Sequence, residues 1–117
     1  MSKDDRDQPR FLFFERATVI TPDGKAYYAR SENLSQSGIF LVTENPLPPG
    51  KRGLLVMTIN TGKTKIDMTI HFIVTHNNTS RNGSKGMGVK FITVNDEDKE
   101  IIEWSIAQVS KKEQQYT

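Results

Sequence analysis

Lys65-Ile66-Asp67-Met68-Thr69-Ile70-His71-Phe72-Ile73-Val74 alternates apolar and polar side chains with a period of two. Successive side chains on a strand point to opposite faces, so Ile66, Met68, Ile70, Phe72 and Val74 share one face, with Lys65, Asp67, Thr69 and His71 opposite. That pattern predicts a half-buried antiparallel strand. Upstream, Thr61-Gly62-Lys63 is a tight turn that joins it to a strand over Leu54–Asn60. Downstream, Asn77 to Lys85 is polar and contains Asn82-Gly83, a loop or hairpin connection. Gly86-Met87-Gly88-Val89-Lys90-Phe91-Ile92 then reads as the last strand.

Further upstream, a first strand is expected over Phe11–Ile20, with Phe11, Phe13, Ala17 and Val19 on one face. Phe13-Phe14 breaks the alternation and marks either a bulge or burial on both faces. Thr21-Pro22-Asp23-Gly24 is a turn signal, with proline and glycine where turns favour them. Strands over Lys25–Ser31 and Ile39–Thr43 follow, then a loop at Glu44-Asn45-Pro46-Leu47-Pro48-Pro49-Gly50, whose prolines cannot donate to a ladder. Helix is expected only at the end. Asn95 or Asp96 caps it, acidic residues fill its first turn, and Ile101, Ile102, Ser105, Ile106 and Val109 fall on one face. Trp104 and Ile106 are expected to cap a core, with a partner surface as the sharper alternative. About six short antiparallel strands remove their exposed edges by closing. The expected fold is therefore all-β, a six-stranded antiparallel β-barrel with a C-terminal α-helix. Residues 1–10 form an arm, 11–110 the barrel with its helix, and 111–117 a frayed tail.

At 117 residues the chain has room for one modest core, and 35% hydrophobic with 26% charged residues suits a soluble protein. The formal net charge of +2 is too small to argue for nucleic acid or a membrane surface. No cysteine is present, which excludes disulfides and thiolate chemistry. The first nine residues carry charge rather than an apolar core, and no apolar run approaches the about 20 residues that span a bilayer. A cytoplasmic location without membrane insertion is expected. His71 and His76, five apart on one strand, are expected on opposite faces, which argues against a metal site. Ser35 has no histidine partner, and no carboxylate pair suggests catalysis.

Ligand chemistry concentrates in two places. Asn33-Leu34-Ser35-Gln36-Ser37-Gly38 sets an amide, a hydroxyl and a glycine in one short turn. Arg6-Asp7-Gln8-Pro9-Arg10 sets two guanidiniums just ahead of the first strand, and such forks match phosphate and the O6/N7 edge of guanine. Each motif alone is weak: the bland readings are a solvated charged arm and an ordinary turn. Their order along the chain raises the odds and suggests a guanine nucleotide site.

With both motifs in view, the chain resembles the PilZ domains of bacteria. Their signature is Arg-x-x-x-Arg in an N-terminal arm followed by Asp/Asn-x-Ser-x-x-Gly on the barrel. Asn33-Leu34-Ser35, Gly38-Ile39-Phe40-Leu41, Leu47-Pro48-Pro49-Gly50 and Gly86-Met87-Gly88-Val89-Lys90-Phe91 extend the likeness over residues 6 to 109. The resemblance implies a receptor for cyclic di-GMP, with no other cofactor. It implies that Arg6 and Arg10 clasp guanine and phosphate, that Asn33 and Ser35 bond guanine edge and phosphate from the barrel, and that Gly38 shapes the turn. Gly86 and Gly88 either admit a guanine to the backbone or serve barrel closure. Arg81 and Lys85 add phosphate contacts or are solvated loop charges. Asp5, ahead of the first arginine, offers no extra cation to a stacked second nucleotide, which favours one ligand molecule per domain.

The leading expectation is a non-enzymatic cyclic di-GMP receptor whose arm orders over the ligand and switches a surface for an effector protein. One rival is an adaptor of the same fold that binds protein and no nucleotide. Another is a barrel for single-stranded nucleic acid, which needs aromatics interleaved with a basic face. No nucleic-acid partner is expected, because the aromatics sit where a core needs them.

Overall fold

The computed structural model describes residues 9–60 and 62–115, the last six of these by backbone alone. Seven strand segments and one helix follow in order: β1 (Phe11–Leu12), β2 (Arg16–Ile20), β3 (Ala26–Leu34), β4 (Gly38–Val42), β5 (Arg52–Asn60), β6 (Lys65–Thr79), β7 (Lys85–Ile92) and α1 (Asp96–Gln115). All pairings are antiparallel, and β3 pairs with β4 as well as with β1 and β2. That extra pairing closes the sheet into a six-stranded barrel, running β2-β5-β6-β7-β4-β3 and back to β2. Closure leaves no long unpaired edge.

β1 and β2 are the expected first strand, interrupted. Leu12 pairs with Asn33 and Arg16 with Arg30, so β2's side of the ladder carries one more residue than β3 between those points. This is a β-bulge. It buries Phe13 and turns Phe14 out to 63% exposure, which is how two successive phenylalanines are accommodated. Ser31 holds the bulge together from β3. Its buried hydroxyl donates to the Phe13 carbonyl and accepts from the Glu15 N–H at 2.8 Å. The Ser31 N–H in turn donates to Glu15 O at 2.8 Å.

The alternating segment behaves as its pattern requires. Met68, Ile70, Phe72 and Val74 are buried, while Lys65, Asp67, Thr69 and His71 are exposed. Each fully buried aliphatic or aromatic side chain contributes about 1.5–3 kcal/mol. Leu55, Met57 and Ile59 from β5, Ile39 and Leu41 from β4, and Met87, Val89 and Phe91 from β7 join them in the core, with Ala17 and Val19 from β2 and Ala29 and Leu34 from β3. Gly53 is needed on β5 because the Phe72 ring occupies the place of its missing Cβ.

Three expectations change. β3 reaches Leu34, so Asn33 lies on a strand and only Ser35–Ser37 turn. β6 continues to Thr79, and the hairpin to β7 tightens to Ser80–Ser84, where Gly83 takes φ 87° and donates to Ser80 O at 3.0 Å. Within β6, Val74 pairs with Val89 and His76 with Gly88, so Thr75 is an extra residue. The bulge reverses the phase, and both His71 and His76 end up exposed rather than on opposite faces.

α1 starts where its cap predicts. Asn95 Oδ1 accepts from the Asp98 N–H at 2.8 Å, and Asp96, Glu97 and Asp98 fill the first turn, where the helix dipole favours negative charge. Ile102 and Ser105 are buried, with Ile101, Ile106 and Val109 packed beside them against the core. Trp104 is not part of that face. It stands 38% exposed, against the expectation of a capping role, because Ile101, Ile102, Ser105, Ile106 and Val109 make up the face that meets the barrel. No helix of the described residues is long and apolar enough to cross a membrane.

Candidate functional site

Strand register builds the site. Leu12 pairs with Asn33, Asn33 with Phe40, Phe40 with Gly88, and Gly88 with His76. One row of residues therefore crosses five neighbouring strand segments, from β1 through β3, β4 and β7 to β6. Asn33 reaches that row because β3 and β4 shift register between Ser31 and Asn33, leaving Glu32 as the extra residue.

Arg10 lies where the arm meets β1, and its guanidinium donates to Asn33 Oδ1 at 3.0 Å. The second arginine of one motif thus touches the first residue of the other. Beyond this bond, a guanidinium has further N–H donors and an asparagine an amide N–H₂ with which to meet a ligand. Arg6 lies outside the described residues.

Ser35 is placed differently. It is 0% exposed, and its hydroxyl faces Gly38, accepting from the Gly38 N–H at 3.2 Å and donating to Gly38 O at 3.3 Å. With Ser35 N–H donating to Gly38 O at 2.9 Å, the turn between β3 and β4 is closed from within. Gly38 is required there for packing: a Cβ would run into the Val89 carbonyl of β7. Ser37 O adds an acceptor for the Phe91 N–H at 2.8 Å. The turn is thereby fixed to β4 and to β7.

Gly86 and Gly88 are both covered by rings of the protein itself. Phe40 fills the Cβ position of Gly86, and the His76 imidazole fills that of Gly88. The two rings lie 6.4 Å apart, centroid to centroid, at 29°. Thr75, the bulged residue of β6, hydrogen-bonds Gly88 O at 3.0 Å and contacts His76 Nδ1 at 3.0 Å, which steadies the ring. His76 is exposed and thus part of the candidate surface, though the sequence reading weighed it only as a metal ligand, while Phe40 beside it is buried at 6% exposure, as expected. β4 is buried on both faces from Gly38 to Leu41, so its sequence shows no alternation and carries no signal of which face Phe40 takes. For His76 there was none either, since its direction depends on the bulge.

Arg81 and Lys85 are exposed near the same face. The Arg81 N–H donates to the Glu32 carboxylate at 3.2 and 3.3 Å, tying the β6–β7 hairpin to the bulged residue of β3. Lys85 edges a groove of about 500 Å³ with Tyr28, Arg30, Thr43 and Asn45. Among the described residues no group of His, Asp and Glu is placed to hold a metal ion.

The PilZ domain model matches residues 4–108, nearly the whole chain and both motifs. The chain belongs to the PilZ domain family. Solved PilZ-like structures agree on the fold. MotI/DgrA, the inhibitor of motility of Bacillus subtilis, superposes with a TM-score of 0.78 at 12% identity, covering 96% of this chain and 54% of that one. The PilZ domain of Escherichia coli YcgR, solved with c-di-GMP, gives 0.72 at 11% identity and covers 97% of both chains. The c-di-GMP complex of K. pneumonia MrkH gives 0.73 at 15% identity, covering all of this chain and 57% of that one. The chain thus spans about half the length of MotI/DgrA and MrkH and matches a single PilZ domain. A search of curated protein sequences returned no match.

Proposed function

We propose that this PilZ domain is a non-enzymatic receptor for cyclic di-GMP. The observation that carries the reading is the Arg10–Asn33 hydrogen bond, which joins arm to barrel at the point where the two motifs meet. The solved complexes of the YcgR PilZ domain and of MrkH with c-di-GMP support the same ligand class. Arg10, joined by Arg6 from the arm, takes phosphate and the O6/N7 edge of a guanine, and Asn33 bonds the guanine edge. Gly38 and Ser35 keep the turn in register, and the Ser35 hydroxyl is available to a phosphate once it releases Gly38. Gly86 makes room for the buried Phe40 ring and Gly88 for the exposed His76 ring, so the ligand meets His76 rather than bare backbone at Gly88. Ordering of the arm on the ligand is the switch offered to an effector protein.

Calorimetry tests this directly. Wild-type protein is expected to bind cyclic di-GMP, and Arg10→Ala to bind about tenfold or more weakly, since a hydrogen bond from a charged donor is worth about 1.5–3 kcal/mol. Equal affinity in Arg10→Ala would overturn the site assignment. No heat with the wild type would leave the family's protein-adaptor role as the reading.

A further inference from the structure

On the barrel wall formed by β3, β2 and β5 lies a groove of about 970 Å³ that the nucleotide surface does not use. Arg16 and Arg30 are directly opposite each other on β2 and β3, and both are exposed. Like charges facing each other across a ladder are unfavourable. Among the described residues no carboxylate forms an ion pair with either. Glu15, which lines the same groove, accepts instead from the Asn60 backbone N–H. Lys65 adds a third cation at the far wall.

Two aromatics bracket the arginines along the strand direction. Phe14 is 63% exposed and Tyr28 64% exposed, the largest exposures among the big apolar side chains of the described residues. Phe14 lies on the bulge side of Arg16, and Tyr28 pairs with Thr18 on the other side of it. Alternate residues on a strand are about 6.6–6.8 Å apart, so the order aromatic, arginine pair, aromatic covers the span of a short extended peptide. Arginine and tyrosine are also the residue types over-represented at binding hot spots.

We infer that the Arg16–Arg30 groove docks a protein segment in which acidic residues are flanked by apolar ones. Carboxylates take the two guanidinium forks, and the apolar side chains cover Phe14 and Tyr28. A nucleic acid strand fits less well, because Glu15 lies in the groove and only Arg16, Arg30 and Lys65 face a backbone that needs a longer cationic track. The inference rests on this groove and not on the nucleotide reading.

A random peptide library selected on the immobilised full chain, with and without cyclic di-GMP, provides the test. Selection on wild type is expected to enrich Asp or Glu with aromatic or aliphatic neighbours, and selection on the Arg16→Ala/Arg30→Ala variant to lose that consensus. A synthetic peptide of the enriched sequence is expected to bind wild type at least tenfold more tightly than the double variant in fluorescence anisotropy. Tyr28→Ala should weaken it while leaving the thermal melt unchanged, which separates docking from folding. Absence of an acidic consensus, peptide binding indifferent to the arginines, or tighter arginine-dependent binding of oligothymidylate would each overturn the proposal. An unchanged result without cyclic di-GMP supports docking even if the nucleotide site fails.

Discussion

Ser31 shows how one hydroxyl can carry a local fold. It sits fully buried between Phe13 and Glu15 and satisfies a carbonyl and an N–H that the bulge withdraws from the ladder. Ser31→Ala strands both groups, and leaving a buried polar group unsatisfied costs about 1–3 kcal/mol. Urea denaturation should show that loss, with the slope unchanged. The glycines divide in the same physical terms. At Gly38 an added methyl meets the Val89 carbonyl, which is backbone and cannot step aside. Gly38→Ala should therefore lower stability by about 1–3 kcal/mol in thermal unfolding. At Gly88 the methyl meets the His76 ring, an exposed side chain that can swing away. Gly88→Ala is expected to leave the melt nearly unchanged while weakening cyclic di-GMP, because the ring is displaced from the row beside Asn33. Asn33 and Arg10 were legible from the sequence as a pair of polar groups in the right order. The inward turn of Ser35 was not, since only the completed turn shows that Gly38 offers its hydroxyl both a donor and an acceptor.

At the level of elements, alternation in Lys65–Val74, the Thr21–Gly24 turn and the Asn95 cap were legible because each is decided by neighbours in sequence. The bulges were not located, apart from the hint in Phe13-Phe14, because a bulge is a mismatch between two strands and no single strand records it. Glu15 owes its environment to one of them. Burial pushes its carboxyl above the ordinary range, and the Asn60 N–H pulls partly back. A carboxyl whose folded pKa is raised holds its proton more tightly in the native state than in the unfolded chain. Its contribution to stability is thus full below the unfolded pKa and is lost as pH rises through the folded one. Denaturation midpoints of wild type relative to Glu15→Gln should fall with rising pH across the carboxylate range and level off towards neutrality.

The molecule as a whole is a closed ladder with a helix laid against one part of it. α1 packs against β1 and β6, so the segment that follows Arg10 lies under the helix as well as along β3. Barrel closure was legible from strand number and the need to hide edges. The outer faces were not: whether Phe14 and Tyr28 belong to the core or the surface depends on the bulge and the barrel's curvature. Their exposure, beside Arg16 and Arg30, gives this domain two differently built walls, one of amides and stacked rings, the other of cations and open aromatics.

The bulge at Phe13–Glu15 also sets how far the chain can unzip. β1 is held by a two-residue pairing, whereas β2 is paired on both sides, to β3 and β5. Between them, the Ser31 hydroxyl grips the chain at Phe13 and Glu15, like a stitch at the end of a seam. β1 is then expected to open ahead of the barrel strands. Hydrogen exchange should record this as a step, with fast exchange at Phe11 and Leu12 and strong protection from Ala17 onward. Ser31→Ala should move that step further into β2.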